Sequence, residues 1–110
     1  MYLEDRKLIE EVLREALKAR ADSFRLDLTR RFRARGMETI GENEEPRPDV
    51  PSVVVFKDPS YAVIYLFTEP HMNEAEFEVF RREARTFAWA HEAAAFFVRL
   101  DTGEVISESG

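Results

Sequence analysis

The two histidines, His71 and His91, are the side chains best able to move a proton near neutral pH. His71 follows Pro70, and His91 closes a long helical run. They stand too far apart for the usual short metal-ligand spacing, so both read as structural. The chain has no cysteine, which excludes disulfides, cysteine nucleophiles and thiolate metal sites and suits a cytoplasmic protein. Four scattered glycines make no loop able to cradle a phosphate. No elbow motif presents a serine for a Ser-His-Asp arrangement. No cofactor and no metal site is implied.

Metal-dependent DNA cleavage is the next chemistry to weigh. Pro48-Asp49, ahead of a strand, strand, helix, strand run, resembles nucleases of the restriction-enzyme fold. Those enzymes need a second acid and a lysine, alternating along the next strand, to hold a metal ion and activate water. These places fall near Tyr65 and Phe67, and neither ligates a hard cation.

Charge offers binding rather than catalysis. The net charge is −6, which argues against a free-standing nucleic-acid binder. Its distribution is uneven. From Lys18 to Arg35 there are seven basic residues (Lys18, Arg20, Arg25, Arg30, Arg31, Arg33, Arg35) against Asp22 and Asp27. From Glu38 to Asp49 five acids face one base, Arg47. The basic run is either a solvated helix face or, through Arg25, Arg30, Arg31, Arg33 and Arg35, part of a composite RNA surface. A charged content of 35%, rich in Glu and Arg, is compatible with a thermophile.

The elements that would position these residues are legible. At 110 residues and 45% hydrophobic, the chain suits one globular domain. No apolar run approaches the roughly 18–20 residues of a membrane span, and the charged N-terminus does not read as a secretory signal. Leu8, Ile9, Val12, Leu13, Ala16 and Leu17 recur at helical spacing, predicting a helix over about 3–20. Asp22 or Ser23 would cap a second helix carrying Phe24, Leu28 and Phe32, stopped by Gly36; one bent helix is the alternative. Met37 to Ile40 is a short strand, and GENEEPRPDVP an exposed loop able to contact a partner.

Val53 to Phe56 and Tyr61 to Phe67 follow as strands around a Lys57-Asp58-Pro59-Ser60 turn. Tyr61, Val63, Tyr65 and Phe67 would face one way, and Ala62, Ile64 and Leu66 the other. Both sets are apolar, as in the buried central strand of a mixed sheet. Asn73 would cap a helix running to about His91, with Phe77, Phe80, Ala84, Phe87, Ala88 and His91 on one stripe and Trp89 off it. Ala95 to Leu100 and Glu104 to Ser107 flank Asp101-Thr102-Gly103 as a hairpin. The expected fold class is α/β (α+β): a restriction-endonuclease-like mixed sheet flanked by helices, with residues 1–24 a helical N-terminal segment and 25–110 the α/β domain.

From Leu26 to Ser107, about three quarters of the chain, this order resembles the C-terminal domain of the tRNA-splicing (tRNA-intron) endonuclease family. The matching stretches are Arg33-Ala34-Arg35-Gly36-Met37, Ser52-Val53-Val54-Val55-Phe56 and Ser60-Tyr61-Ala62-Val63-Ile64-Tyr65-Leu66. They continue with Glu83-Ala84-Arg85-Thr86-Phe87-Ala88 and with Phe96 through Ile106. Each is unspecific alone; order and spacing carry the likeness. The resemblance implies a Tyr, His and Lys triad for metal-free RNA cleavage by acid–base work and charge stabilisation. By position these are Phe56, about Asp58 and about Ala93, so the phenol, the imidazole and the ammonium are all missing. The family's glycine-rich stretch before the Tyr is replaced by the Glu-Pro-Arg-Pro-Asp loop.

The departures resemble the family's non-catalytic structural subunits, which in some archaea pair with a catalytic chain as a heterotetramer. The resemblance therefore implies a non-enzymatic subunit supporting pre-tRNA intron excision. Its partner would be a catalytic splicing-endonuclease subunit in two-plus-two stoichiometry, with no membrane. It also implies two contact surfaces. Phe97, Val105 and Ile106 would pair last strands tail to tail, and Asp101, Gly103 and Glu104 would dock into a basic pocket of a neighbour. Both groups also read as ordinary edge-strand and turn residues. The alternative function is a degenerate nuclease-fold, resolvase-like protein that binds branched DNA without cutting it.

Overall fold

A computed structural model describes residues 3–41, 51–68 and 73–109. Residues 42–50 of the GENEEPRPDVP stretch, the Pro48-Asp49 pair among them, and His71 lie outside the described residues. Three helices and five strands follow in the order α1 (Leu3–Ala19), α2 (Phe24–Ala34), β1 (Glu38–Ile40), β2 (Val53–Lys57), β3 (Ser60–Phe67), α3 (Glu74–Ala90), β4 (Ala94–Arg99) and β5 (Val105–Ser109). The fold is mixed α+β, with one five-stranded mixed sheet flanked by helices.

The sheet runs β1-β2-β3-β4-β5 in chain order. Every pairing is antiparallel except β3 with β4, where Ala62 to Phe67 lie beside Ala94 to Arg99 in parallel. A parallel pair needs a crossover, and α3 supplies it. The first two elements are separate helices: Arg20 turns the chain at a φ of 50°. Ser23 caps α2 by accepting from the Leu26 N–H at 3.3 Å. Asn73 caps α3, accepting from the Glu76 N–H at 2.9 Å, in the capping geometry that its side chain favours. Gly36, at a φ of 80°, stands one residue past the Arg35 C-cap, where only glycine adopts the left-handed region without strain.

Two cores lie on opposite faces of the sheet. On one face Ile9, Val12, Leu13 and Ala16 of α1 and Leu28 and Phe32 of α2 bury Val53, Val55, Ala62, Ile64, Leu66, Phe96 and Val98. On the other, Ala84, Phe77, Phe80 and Phe87 of α3 cover Val63, Phe67, Ala95, Phe97, Tyr61 and Tyr65. The alternation expected for β3 is therefore observed, with apolar residues feeding both cores. α1 shares its core with the sheet, so residues 3–24 pack against the rest. Arg6 donates to Ser107 of β5 at 2.8 Å, and Ser60 of β3 donates to Asp5 at 2.5 Å, tying the start of α1 to the sheet.

The layers are unequal. α2 packs on β1 and β2, and α1 reaches β5, so the first face is covered across its width. α3 packs on β4 and β5. The α3 side of β1 and β2 is left open, and Ile40 is 59% exposed there. Gly41 ends β1 against β2: a methyl group at this position would run into the carbonyl oxygen of Ser52. Gly41→Ala is expected to cost about 1–3 kcal/mol by forcing backbone apart in a packed region. A shift in the urea midpoint of less than the equivalent of about 0.5 kcal/mol would show that β1 yields freely.

Candidate partner and nucleic-acid surfaces

The strand register gathers the three triad-like positions at one end of the sheet. Phe56 sits near the end of β2 opposite Tyr61, and Ala62, the next residue of β3, lies beside Ala94. Asp58 is in the β2–β3 turn, where its bond to Pro59 is cis, and Ala93 immediately precedes β4. Phe56 is half-buried, Asp58 exposed and Ala93 buried. The Ala93 N–H donates to the Ala88 carbonyl at 2.9 Å. These positions thus carry a phenyl ring, a carboxylate and a buried methyl, and no phenol, imidazole or ammonium.

His91 also lies near this end, and Tyr65 stands four residues along β3 from Tyr61. His91 is the C-cap of α3, and its ring lies 4.4 Å from Phe87, which lies 6.1 Å from Tyr61. Phe87 thus contacts both the imidazole and the phenol, and no hydrogen bond joins the two. Tyr65 has its pKa raised by burial, reinforced by nearby Tyr61 and Glu83, so its phenol stays protonated at neutral pH. Among the described residues no group of three or more His, Asp or Glu side chains could hold a metal ion. None of their helices is long and apolar enough to cross a membrane.

The arginines of α2 divide. Arg31 pairs with Asp27 at 2.8 Å and approaches Glu15 at 3.7 Å. Arg35 pairs with Glu15 at 2.8 Å and Glu11 at 3.5 Å. Arg25 donates to the Gly41 carbonyl at 2.8 Å. These three hold α2 to α1 and to β1. Arg30 and Arg33 are exposed on the helix. The five-arginine surface expected from sequence is thus two outward cations beside three that are engaged within the chain. Such exposed pairs contribute little individually, but each lowers the charge available to a phosphate.

The β4–β5 hairpin also sorts its residues. Phe97 is fully buried beneath α3, so its ring serves the inner core and offers no surface to a second subunit. Val105 packs partly into the α1 side and Ile106 into the α3 side. What β5 presents outward is its strand edge, since among the described residues it pairs only with β4; an edge of unpaired N–H and C=O groups is a template for another strand. Asp101, Gly103 and Glu104 are exposed in the turn. Arg99 reaches Asp101 at 3.2 Å. Gly103 holds a φ of 77° and donates to the Arg99 carbonyl at 2.8 Å, which accounts for the glycine by turn geometry alone.

Two features had almost no sequence signal. Glu108, in a polar Ser-Glu-Ser tail, is buried at the α3 face and takes hydrogen bonds from Arg81 at 2.6 Å and Arg85 at 3.0 Å. A groove of about 480 Å³ opens over β1 and β2, lined by Ile40, Val54, Phe56, Asp58, Pro59, Ser60 and Tyr61. Only Glu108's spacing from Ile106 hinted at an inward residue. No known family model matches this sequence, and no curated protein matches it.

Proposed function

We propose that this chain is a non-catalytic structural subunit of a tRNA-splicing endonuclease. It would hold catalytic partner chains in the geometry that processes pre-tRNA, in a two-plus-two assembly in the cytoplasm. The observation that carries the reading is the gathering of Phe56, Asp58 and Ala93 at one end of the sheet by strand register. The resemblance over Leu26 to Ser107 expects a catalytic triad in those places, and the side chains there cannot perform its acid–base steps. The outward edge of β5 and the exposed acidic turn at Asp101 and Glu104 are surfaces suited to subunit assembly. RNA would be met by shape and backbone contact, with Arg30 and Arg33 the available cations of α2.

The test is light scattering with size exclusion, on the chain alone and co-expressed with a catalytic splicing-endonuclease subunit. The expected outcome is a stable complex that cleaves a bulge–helix–bulge RNA, while the chain alone cleaves nothing. Cleavage by the pure chain, or no complex together with selective binding of a four-way DNA junction, would overturn the proposal. Within an active complex, Arg30→Glu with Arg33→Glu is expected to weaken RNA binding and flatten its salt dependence. An unchanged salt slope would make α2 a solvated face.

A further inference from the structure

We propose that the open half of the sheet is a docking groove for an arginine or lysine side chain of a partner protein. The aliphatic stem would lie over Ile40, Val54 and Phe56, and the cationic head would reach Asp58. This inference stands apart from the splicing-subunit reading and needs none of it.

The groove is built by the two strands that α3 leaves uncovered. Ile40 is paired opposite Val54, and Phe56 opposite Tyr61, so all four side chains share one face. They form an apolar floor of about 480 Å³ closed at one end by the Asp58-Pro59 turn. That space exceeds what a single long side chain fills. Ile40 is 59% exposed, and Val54, Phe56 and Tyr61 are half-buried. Asp58 supplies the one formal charge among the lining residues. Its exposed carboxylate makes no hydrogen bond or ion pair with any described residue. A wall of aromatic and aliphatic carbon ending in a carboxylate unpaired among the described residues is complementary to a cation on an apolar stem. Arginine and lysine have that form, and aromatic faces favour cations over neutral groups.

The charges around the groove decide its direction and its class of ligand. Arg33 and Glu38 both line an adjoining hollow that shares Ile40 and Phe56, so their charges offset there and the Asp58 end is the one that attracts a cation. Glu38 faces Phe56 across β1 and β2, and with Asp58 and a net charge of −6 it opposes a phosphate backbone. A nucleobase stacked on Phe56 or Tyr61 would bring that phosphate with it. A basic protein surface meets no such penalty.

The experiment is an amide chemical-shift titration of the whole chain with three probes at matched ionic strength. They are acetyl-Gly-Arg-Gly-amide, acetyl-Gly-norleucine-Gly-amide and uridine monophosphate. The arginine peptide is expected to move the amides of Ile40, Phe56, Asp58 and Tyr61 with roughly millimolar affinity, and the norleucine peptide to bind at least about threefold more weakly. Asp58→Asn should weaken the arginine peptide about threefold, the effect of an exposed ion pair, and leave the norleucine peptide unchanged. Phe56→Leu should keep the floor apolar and still weaken the arginine peptide about twofold. Norleucine binding as well as arginine would reduce the groove to bare apolar surface and overturn the proposal. So would preferential binding of the nucleotide, or shifts confined to residues outside the groove.

Discussion

Truncating Phe97 to alanine is expected to remove about 3–5 kcal/mol of folding stability, a large share of the roughly 5–15 kcal/mol that holds a small domain together. The ring is fully buried and is the hub of an aromatic cluster. It stacks on Tyr65 at 4.7 Å with planes 13° apart, meets Phe77 edge-on at 5.3 Å and 82°, and meets Phe67 edge-on at 6.4 Å and 79°. Offset and edge-to-face contacts of this kind add to the area term. Losing about 4 kcal/mol in a domain of this size lowers Tm by about 15–20 °C. Phe97→Leu keeps most of the volume and loses the ring geometry, so a smaller loss of about 1–2 kcal/mol is expected. The urea midpoint, measured at two protein concentrations tenfold apart, separates two roles. A loss independent of concentration places Phe97 in the core of the single chain. A loss that grows on dilution would place it in a subunit interface and contradict its burial under α3.

Phe97 also shows what sequence reasoning could and could not reach. Its strand was legible from the apolar run Ala95 to Leu100 and the Asp-Thr-Gly turn that follows. Its apolar character, however, suits a core and an interface equally, and only the placement of α3 separates them. The same holds for β3. Alternation at Tyr61 to Phe67 is a local property of the pleat, so its two-sided burial could be read directly. The caps Ser23 and Asn73 and the stop at Gly36 are local as well. By contrast, the engagement of Arg35 depends on Glu11 and Glu15, which lie a helix away in sequence, and Arg31 adds Glu15 to its local partner Asp27, so α2 read as more freely basic than it is. The open half of the sheet had no local signature at all. It follows from one helix covering one face where two cover the other, a count fixed by tertiary arrangement.

The triad-like positions illustrate the same division. The identities of Phe56, Asp58 and Ala93 show from sequence alone that no phenol, imidazole or ammonium stands at these positions. That these positions come to one end of the sheet is a matter of register. β2 and β3 are antiparallel and β3 and β4 parallel, so the end of one strand and the beginnings of two others converge. The groove itself lies over β1, β2 and the turn into β3, where α3 leaves the sheet uncovered, and Asp58 stands at its edge.

Glu108→Gln is expected to cost about 1–2 kcal/mol at neutral pH, an amount typical of charge-assisted hydrogen bonds discounted for the solvent exposure of the arginines. Glu108 accepts from Arg81 and Arg85 and so clamps the last strand to α3. Burial pushes its pKa up, but the hydrogen bonds and charges of Arg85 and Arg81 outweigh that, and the net shift is downward. The sign of the pH dependence follows. A carboxyl group with a depressed folded pKa contributes stability above its unfolded value, near 4.5, and loses it as pH falls through the folded value. The difference between wild type and Glu108→Gln should therefore be full at pH 7 and shrink below pH 4.5. Removing both cations, as Arg81→Leu with Arg85→Leu, should invert the dependence. Burial alone would then raise the Glu108 pKa, and stability would increase as pH falls toward it. Arg81 also lies 5.7 Å from the centroid of Phe77, the ring that meets Phe97 edge-on. The clamp and the aromatic cluster thus share a side chain, and Glu108→Gln combined with Phe97→Leu should depart from additivity by about 0.5 kcal/mol or more. Additive losses would separate the clamp from the aromatic cluster, and a pH profile unchanged by the double arginine substitution would show that β5 is held by its strand pairing with β4 and that the Glu108 charge adds nothing to it.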